Sequence, residues 1–79
     1  MKRMTCRQLG GACDLEFTAE TFEQMAELSR RHDVEMFNQK DPAHLEAMNA
    51  MQDLMNNPQK IQAWMSGKKK EFNLLPDIS

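Results

Sequence analysis

The chain has 79 residues, of which 28% are charged and 41% are hydrophobic, a composition typical of a globular protein and not of a disordered segment. Its formal net charge of -2 gives no general attraction to nucleic acid or to anionic membranes, and no apolar stretch approaches the roughly 18 residues of a membrane span. We therefore expect neither a nucleic-acid nor a membrane partner. We predict one small domain, whose limited core needs support from a metal, a cross-link or a second subunit.

Two short strands joined by a glycine-containing turn are predicted near the N-terminus, over 3–9 and 13–18. Apolar and polar residues alternate along the second strand, so one of its sides should face the core. The residues on that side are Cys13, Leu15 and Phe17. With an even-numbered loop, Cys6 and Cys13 point to the same side of the hairpin, whereas an odd loop or a bulge would separate them.

Three helices should follow the hairpin. The first is predicted over 21–38, where a capping box marks its start, and the second over 42–56. The third is predicted over 58–66 or longer, because Phe72 would fall on the same side if the helix continued through the lysine run. An extended tail over about 73–79 closes the chain. The pattern predicts an α+β fold, with the β-hairpin packed against about three α-helices.

The first predicted helix has a broad apolar arc that includes a histidine, His32. The apolar members of this arc are Phe22, Met25, Ala26, Leu28, Met36 and Phe37. Asp33 falls near the same arc, and a carboxylate is unfavourable in a purely apolar interface. An alternative to a regular helix over 21–38 is that the helix bends or frays beyond Arg31.

The second predicted helix is rich in methionine, and its apolar residues span about 220° of the helical wheel, which is too wide for one simple contact. We therefore expect a second copy of the chain or another protein to cover part of it. The residues of this expected interface are Leu45, Met48, Met51 and Met55. Other interpretations are that the methionines form core, line an adaptable peptide groove or bind a soft metal such as Cu(I).

The strongest candidates for chemistry are Cys6 and Cys13 on the hairpin and His32 on the helix expected to pack over it. Thiolates and imidazole suit zinc, which prefers four such ligands in a tetrahedron. The fourth ligand could be His44, Asp33 or water. Two alternatives remain open: the cysteines are small core residues, or they form a redox-active cross-strand pair.

Enzymatic chemistry has little support in the sequence. There is no phosphate-binding glycine loop, no Gly-x-Ser-x-Gly elbow and no His-Glu-x-x-His motif. A nucleophilic pair of Cys6 and His32 is conceivable, but no third residue in the pattern orients it. Polar residues follow the basic start of the chain where an export signal would be apolar, so we expect a cytoplasmic protein with reduced thiols.

The run Cys-Arg-Gln-Leu-Gly-Gly-Ala-Cys-Asp over 6–14, followed by a helix bearing His32, resembles domain-of-unknown-function family 1059. These small bacterial proteins are described as predicted small metal-binding proteins. The resemblance covers about 1–32, and the segment 71–76 resembles a longer subgroup more loosely. It implies a metal site that includes Cys6, Cys13 and His32.

This chain departs from the family pattern after the first histidine. The family typically has a second histidine about one turn later, where this chain has Met36 and Phe37. Three alternatives follow: the fourth ligand is lost, His44 replaces it, or this subgroup does not bind metal. The favoured hypothesis is a metal-binding or metal-responsive accessory protein, and the alternative is a metal-free interaction module or a dimerising helical protein.

Overall fold

A computed structural model describes residues 1–78 and confirms the predicted α+β arrangement, an antiparallel β-hairpin followed by three helices. The predicted tail over 73–79 includes Ser79, which lies outside the described residues. The elements are β1 (Lys2–Thr5), a 3₁₀ turn (Arg7–Leu9), β2 (Glu16–Ala19), α1 (Phe22–Gln39), α2 (Pro42–Met55) and α3 (Pro58–Leu74).

The two strands are shorter than the sequence predicted. Met4 pairs with Phe17, and both side chains are buried, as the alternation requires. The prediction that Leu15 faces the core is wrong, because β2 begins only at Glu16 and the Leu15 side chain is 49% exposed. Cys13 likewise precedes β2, so it belongs to the connection between the strands.

A hydrogen-bonded loop, and not a tight turn, connects the strands. The backbone of Cys6 is helical, with φ -52° and ψ -44°, so the chain turns out of β1 at this residue. The Cys6 carbonyl accepts hydrogen bonds from the amides of Leu9 and Gly11, at 3.0 and 2.8 Å. Gly10 has φ 90°, a left-handed conformation that favours glycine, and ends the 3₁₀ turn. This loop fixes the Cys6 backbone from both sides, since the Cys6 amide also donates to the Leu15 carbonyl at 2.8 Å.

Side chains before each helix satisfy the free amides of its first turn. Thr21 accepts a hydrogen bond from the amide of Gln24 at 3.1 Å, as the capping box predicts. Asp41 caps α2 by accepting from the amide of His44 at 3.0 Å. Asn57 caps α3 in the same manner. These local bonds place the start of each helix close to its predicted position.

The helix α1 continues without interruption to Gln39, close to its predicted bounds of 21–38, and the alternative of fraying beyond Arg31 is excluded. Lys40, with φ 57°, ends this helix in a left-handed conformation. The position of Asp33 has a different explanation: it faces a cavity beside His44, as described below.

The core lies between the hairpin, the first half of α1 and the end of α3. Its buried apolar residues are Met4, Cys6, Leu9, Phe17, Ala19, Phe22, Met25 and Phe72. Phe22 and Phe72 meet edge to face, with ring centroids 6.0 Å apart, so α3 returns to the hairpin end of α1. Phe37 does not join this core: it is 59% exposed on the part of α1 beyond the hairpin. Within residues 1–78, no helix is both long and apolar enough to cross a membrane.

Candidate metal centre

The four side chains named as candidate ligands meet at one point. The ligand atoms of Cys6, Cys13, His32 and His44 all lie within 4.8 Å of one another. The Sγ atom of Cys6 lies 3.6 Å from Nε2 of His44, and the Sγ atom of Cys13 lies 3.3 Å from Nε2 of His32. Within residues 1–78 this is the one group of three or more Cys, His, Asp or Glu side chains arranged closely enough to hold a metal ion.

These separations fit a tetrahedral zinc site. Zinc bonds to sulfur at about 2.3 Å and to imidazole nitrogen at about 2.0–2.1 Å, so tetrahedral sulfur and nitrogen ligands lie about 3.5 Å apart. The two measured sulfur–nitrogen distances, 3.6 and 3.3 Å, lie close to this value. The remaining separations among the four ligand atoms are at most 4.8 Å. The residues present therefore suit the ion.

Three parts of the fold supply the ligands. Cys6 and Cys13 lie at the two sides of the loop that connects β1 to β2. His32 extends from the middle of α1, where its ring packs edge to face against Phe17 at 5.7 Å. His44 belongs to the first turn of α2, and its ring meets that of His32 at 5.1 Å. A metal at this point would connect the hairpin loop to two helices.

Gly11 provides the space that the Cys6 thiol occupies. A Cβ atom at position 11 would overlap Cys6 Sγ and would also lie 3.0 Å from the Cys6 carbonyl oxygen. Any other residue would therefore displace the thiol or the loop. The glycines were predicted only to form a turn, and the contact of Gly11 with the Cys6 thiol depends on how the loop folds.

His44 is oriented by a carboxylate. Asp41 Oδ2 lies 2.6 Å from Nδ1 of His44, so Nε2 faces the cluster. The hydrogen bond to Asp41 raises the pKa of His44 despite the opposing effect of burial, and hydrogen bonds from His44 lower the pKa of Asp41. Such a carboxylate–imidazole pair is the usual outer support of a metal-binding histidine. This pair was not predicted, although the spacing of three residues between Asp41 and His44 is visible in the sequence.

The two thiols have different environments. Burial raises the pKa of Cys6, and hydrogen bonds from the backbone amides of Cys13 and Ala12 oppose this effect. Burial also acts to raise the pKa of Cys13, but hydrogen bonds from the Leu15 amide and from His44 outweigh it, so the pKa of Cys13 is lowered. Backbone amides that donate to sulfur stabilise the thiolate, which is the form that binds a metal.

One side of the cluster is closed and the other is open to solvent. Cys6 and His44 are buried, whereas Cys13 and His32 are partly exposed. An ion would therefore enter from the side of Cys13 and His32. No covalent bond joins the two cysteines, and both are free thiols.

Asp33, one of the three sequence-predicted choices for the fourth ligand, lies outside this group of four. It lines a cavity of about 170 Å³ together with His44. Burial raises the pKa of Asp33, and the neighbouring imidazoles of His32 and His44 oppose this effect. The fourth position in the cluster is taken by His44.

The methionines of α2 lie next to the site. Met48, Met51 and Met55 line the same cavity as Asp33. A Cβ atom on Gly10 would lie 3.1 Å from the sulfur of Met51, so this side chain packs closely on the loop. Met55 is 65% exposed. The helix thus contributes apolar surface both to the loop and to solvent.

Comparisons with known protein families, with curated proteins and with solved structures found no match to this chain. The family resemblance of residues 6–14 consequently stays a prediction. The function must be argued from the geometry of the cluster itself.

Proposed function

We propose that this protein binds one transition-metal ion, best matched by zinc, through Cys6, Cys13, His32 and His44. The observation that carries the proposal is the convergence of these four ligand atoms within 4.8 Å of one another. Two thiolates and two imidazoles are a set that zinc prefers, whereas calcium and magnesium prefer oxygen ligands. The support that Asp41 gives to His44 is what a metal-binding imidazole needs.

The proposed site is structural or metal-responsive and not catalytic. Four protein ligands complete a zinc tetrahedron and leave no position for a substrate or an activated water. The partial exposure of Cys13 and His32 would let the ion exchange with solvent. The resemblance of residues 6–14 to the family of predicted small metal-binding proteins supports the same assignment. We also propose that the protein is located in the cytoplasm, where the thiols stay reduced.

Metal analysis of the purified protein tests this proposal. The protein is prepared without a histidine tag and without chelators, and its zinc content is compared with that of His44→Gln. Asn49→Gln, an exposed change on the same helix, is the matched control. We expect about one metal per chain in the wild type and in the control, and a large loss in His44→Gln. Equal metal content in all three proteins, or none in any after zinc is supplied, would contradict the proposal.

A second function is favoured by the exposed apolar surface of α1 and α2. Val34 and Phe37 are 48% and 59% exposed, and with Met48 they line an apolar hollow of about 240 Å³. We propose that two copies of the chain associate through this surface, which adjoins the methionine-rich helix. Sedimentation equilibrium is expected to show a dimer that Phe37→Glu dissociates. Asn38→Glu, a neighbouring exposed change, serves as control, and a monomeric wild type at high concentration would exclude self-association.

A further inference from the structure

Asp33 is a partly buried carboxylate that has neither a hydrogen bond nor an ion pair within the part of the chain that the structure describes. It directly follows His32 in α1 and shares the lining of the 170 Å³ cavity with His44. Its carboxylate therefore lies beside both imidazoles of the cluster. The cation that could neutralise it from its own helix is Arg30, but that guanidinium is bound to Glu27 at 2.6 and 3.0 Å.

An unpaired carboxylate in a partly buried position is costly unless a positive charge lies nearby. Some acidic groups elsewhere in the structure have such partners: Asp14 pairs with Arg7 at 3.0 Å, and Asp41 pairs with His44 at 2.6 Å. The group that Asp33 faces is the cluster of four ligands. Two thiolates in that cluster carry two negative charges, and a divalent ion bound there would neutralise them and end their repulsion of the Asp33 carboxylate.

We propose that Asp33 determines the charge selectivity of the metal site, its carboxylate favouring a divalent over a monovalent cation at Cys6, Cys13, His32 and His44. This inference rests on the proposed function and adds the class of ion to it. The Asp33 carboxylate is no ligand in the proposal. It acts through space, across the wall of the cavity it shares with His44.

Coulomb's law makes the proposal quantitative. The energy between Asp33 and the ion is proportional to the charge of the ion, whatever the distance and the dielectric constant. An ion that binds the cysteines displaces their protons, so the comparison holds when both affinities are referred to the deprotonated thiols. Removing the carboxylate charge should then change the logarithm of that affinity twice as much for a divalent ion as for a monovalent one. If the loss is on the order of tenfold for Zn²⁺, it should be only about threefold for Ag⁺, which is also a thiophilic ion.

The test measures Zn²⁺ and Ag⁺ affinities by competition with chelators, at one ionic strength and over a range of pH so that each affinity can be referred to the deprotonated thiols, for the wild type, Asp33→Asn and Asp33→Glu. Glu35→Gln is the matched control, because it removes one carboxylate charge from an exposed position of the same helix. We expect Asp33→Asn to lower the Zn²⁺ affinity about tenfold and the ratio of Zn²⁺ to Ag⁺ affinity about threefold. Asp33→Glu should keep most of the wild-type ratio of Zn²⁺ to Ag⁺ affinity, and Glu35→Gln should leave this ratio nearly unchanged.

A merely structural role for Asp33 would weaken the binding of both ions equally, and that result would overturn the inference while leaving the proposed function intact. An unchanged Zn²⁺ affinity in Asp33→Asn would overturn it as well. A wild-type protein that binds neither ion would overturn the proposed function and the inference together. Circular dichroism verifies that Asp33→Asn folds. If it does not fold, Asp33→Ser is used as a second variant that lacks the charge.

Discussion

Asp41 has two roles, which a single substitution can separate. Its carboxylate caps α2 through the backbone amide of His44 and also contacts the imidazole Nδ1 of the same residue. Asparagine caps helices about as well as aspartate, because its amide oxygen accepts the same bond. Asp41→Asn therefore retains the cap and removes the charge that faces His44.

We expect Asp41→Asn to destabilise the metal-free protein in a pH-dependent manner. The pKa of His44 is raised, so protonated His44 stabilises the folded state. This contribution to the free energy of unfolding is fully present below the ordinary pKa of about 6.5 and is lost as the pH rises through the raised value. The pKa of Asp41 is lowered, so ionised Asp41 also stabilises the folded state. This contribution to the free energy of unfolding is present above the ordinary pKa of about 3.9 and is lost as the pH falls through the lowered value. The ion pair is thus strongest between about pH 4 and 6.5.

The melting temperature should accordingly fall by a few degrees in Asp41→Asn at pH 5.5 and by less at pH 8.5, as followed by circular dichroism in the presence of a chelator. Asp53→Asn, an exposed change on the same helix, should show no such difference. Equal losses at the two pH values would mean that the cap alone, and not the charge pair, accounts for the effect.

Gly11 offers a second test at the scale of one residue. Gly11→Ala places a Cβ atom where the Cys6 thiol lies, so either the thiol or the loop must shift. We expect the zinc affinity, measured by chelator competition, to fall by a factor on the order of ten or more, the size that loss of ligand orientation produces. Gly67→Ala is the control, since no atom lies within 4 Å of its added Cβ and alanine favours the α3 helix. An unchanged affinity in Gly11→Ala would show that the cluster does not depend on this close contact.

At the scale of secondary-structure elements, the helices were predicted more closely than the strands, and the reason is physical. The helix starts depend on local pairs, such as Thr21 with Gln24, that are visible in the sequence. The strand ends depend on the backbone of Cys6, which turns into a 3₁₀ conformation that no residue type demands. The end of α1 was also predicted closely, at residue 38, and it lies at Gln39.

The candidate site was predictable in its chemistry and only partly in its geometry. Cys6, Cys13 and His32 were recognisable from residue type and from the face that each occupies. His44 remained one of several possible fourth ligands, because only the packing of α2 against α1 brings it to the others. Side-chain patterns report which residues share one face, but not the angle at which two helices meet.

The arrangement of the ligands over three elements predicts how zinc changes local stability. The first turn of α2 is held to the hairpin loop by His44, and the ion would bond this turn to both cysteines. We expect hydrogen exchange of the amides in this turn, and of the loop amides at 9–13, to slow strongly when zinc is added. The middle of α3, which supplies no ligand, should change much less. Uniform slowing along the whole chain would indicate global stabilisation alone.

At the scale of the whole molecule, the fold has little apolar interior for its surface. The principal extents are 34 × 29 × 15 Å, so the molecule is thin in one direction. The buried core is concentrated near the hairpin, and the outer parts of α2 and α3 leave Met55 and Met65 exposed. A chain of this size has a small margin of stability, which a bound metal can increase substantially.

Zinc should therefore raise the melting temperature of the intact chain. A ligand that binds only the folded state, at a free concentration of 100 times its Kd, adds about 2.7 kcal/mol to the free energy of unfolding. For a domain of this size each kcal/mol corresponds to about 4–8 °C, so we expect a rise of about 10–20 °C by calorimetry. His32→Gln, which removes one partly exposed ligand, should lose most of this rise, whereas Arg31→Gln beside it should retain it. A comparable rise in His32→Gln would mean that zinc stabilises the protein from a place other than this cluster.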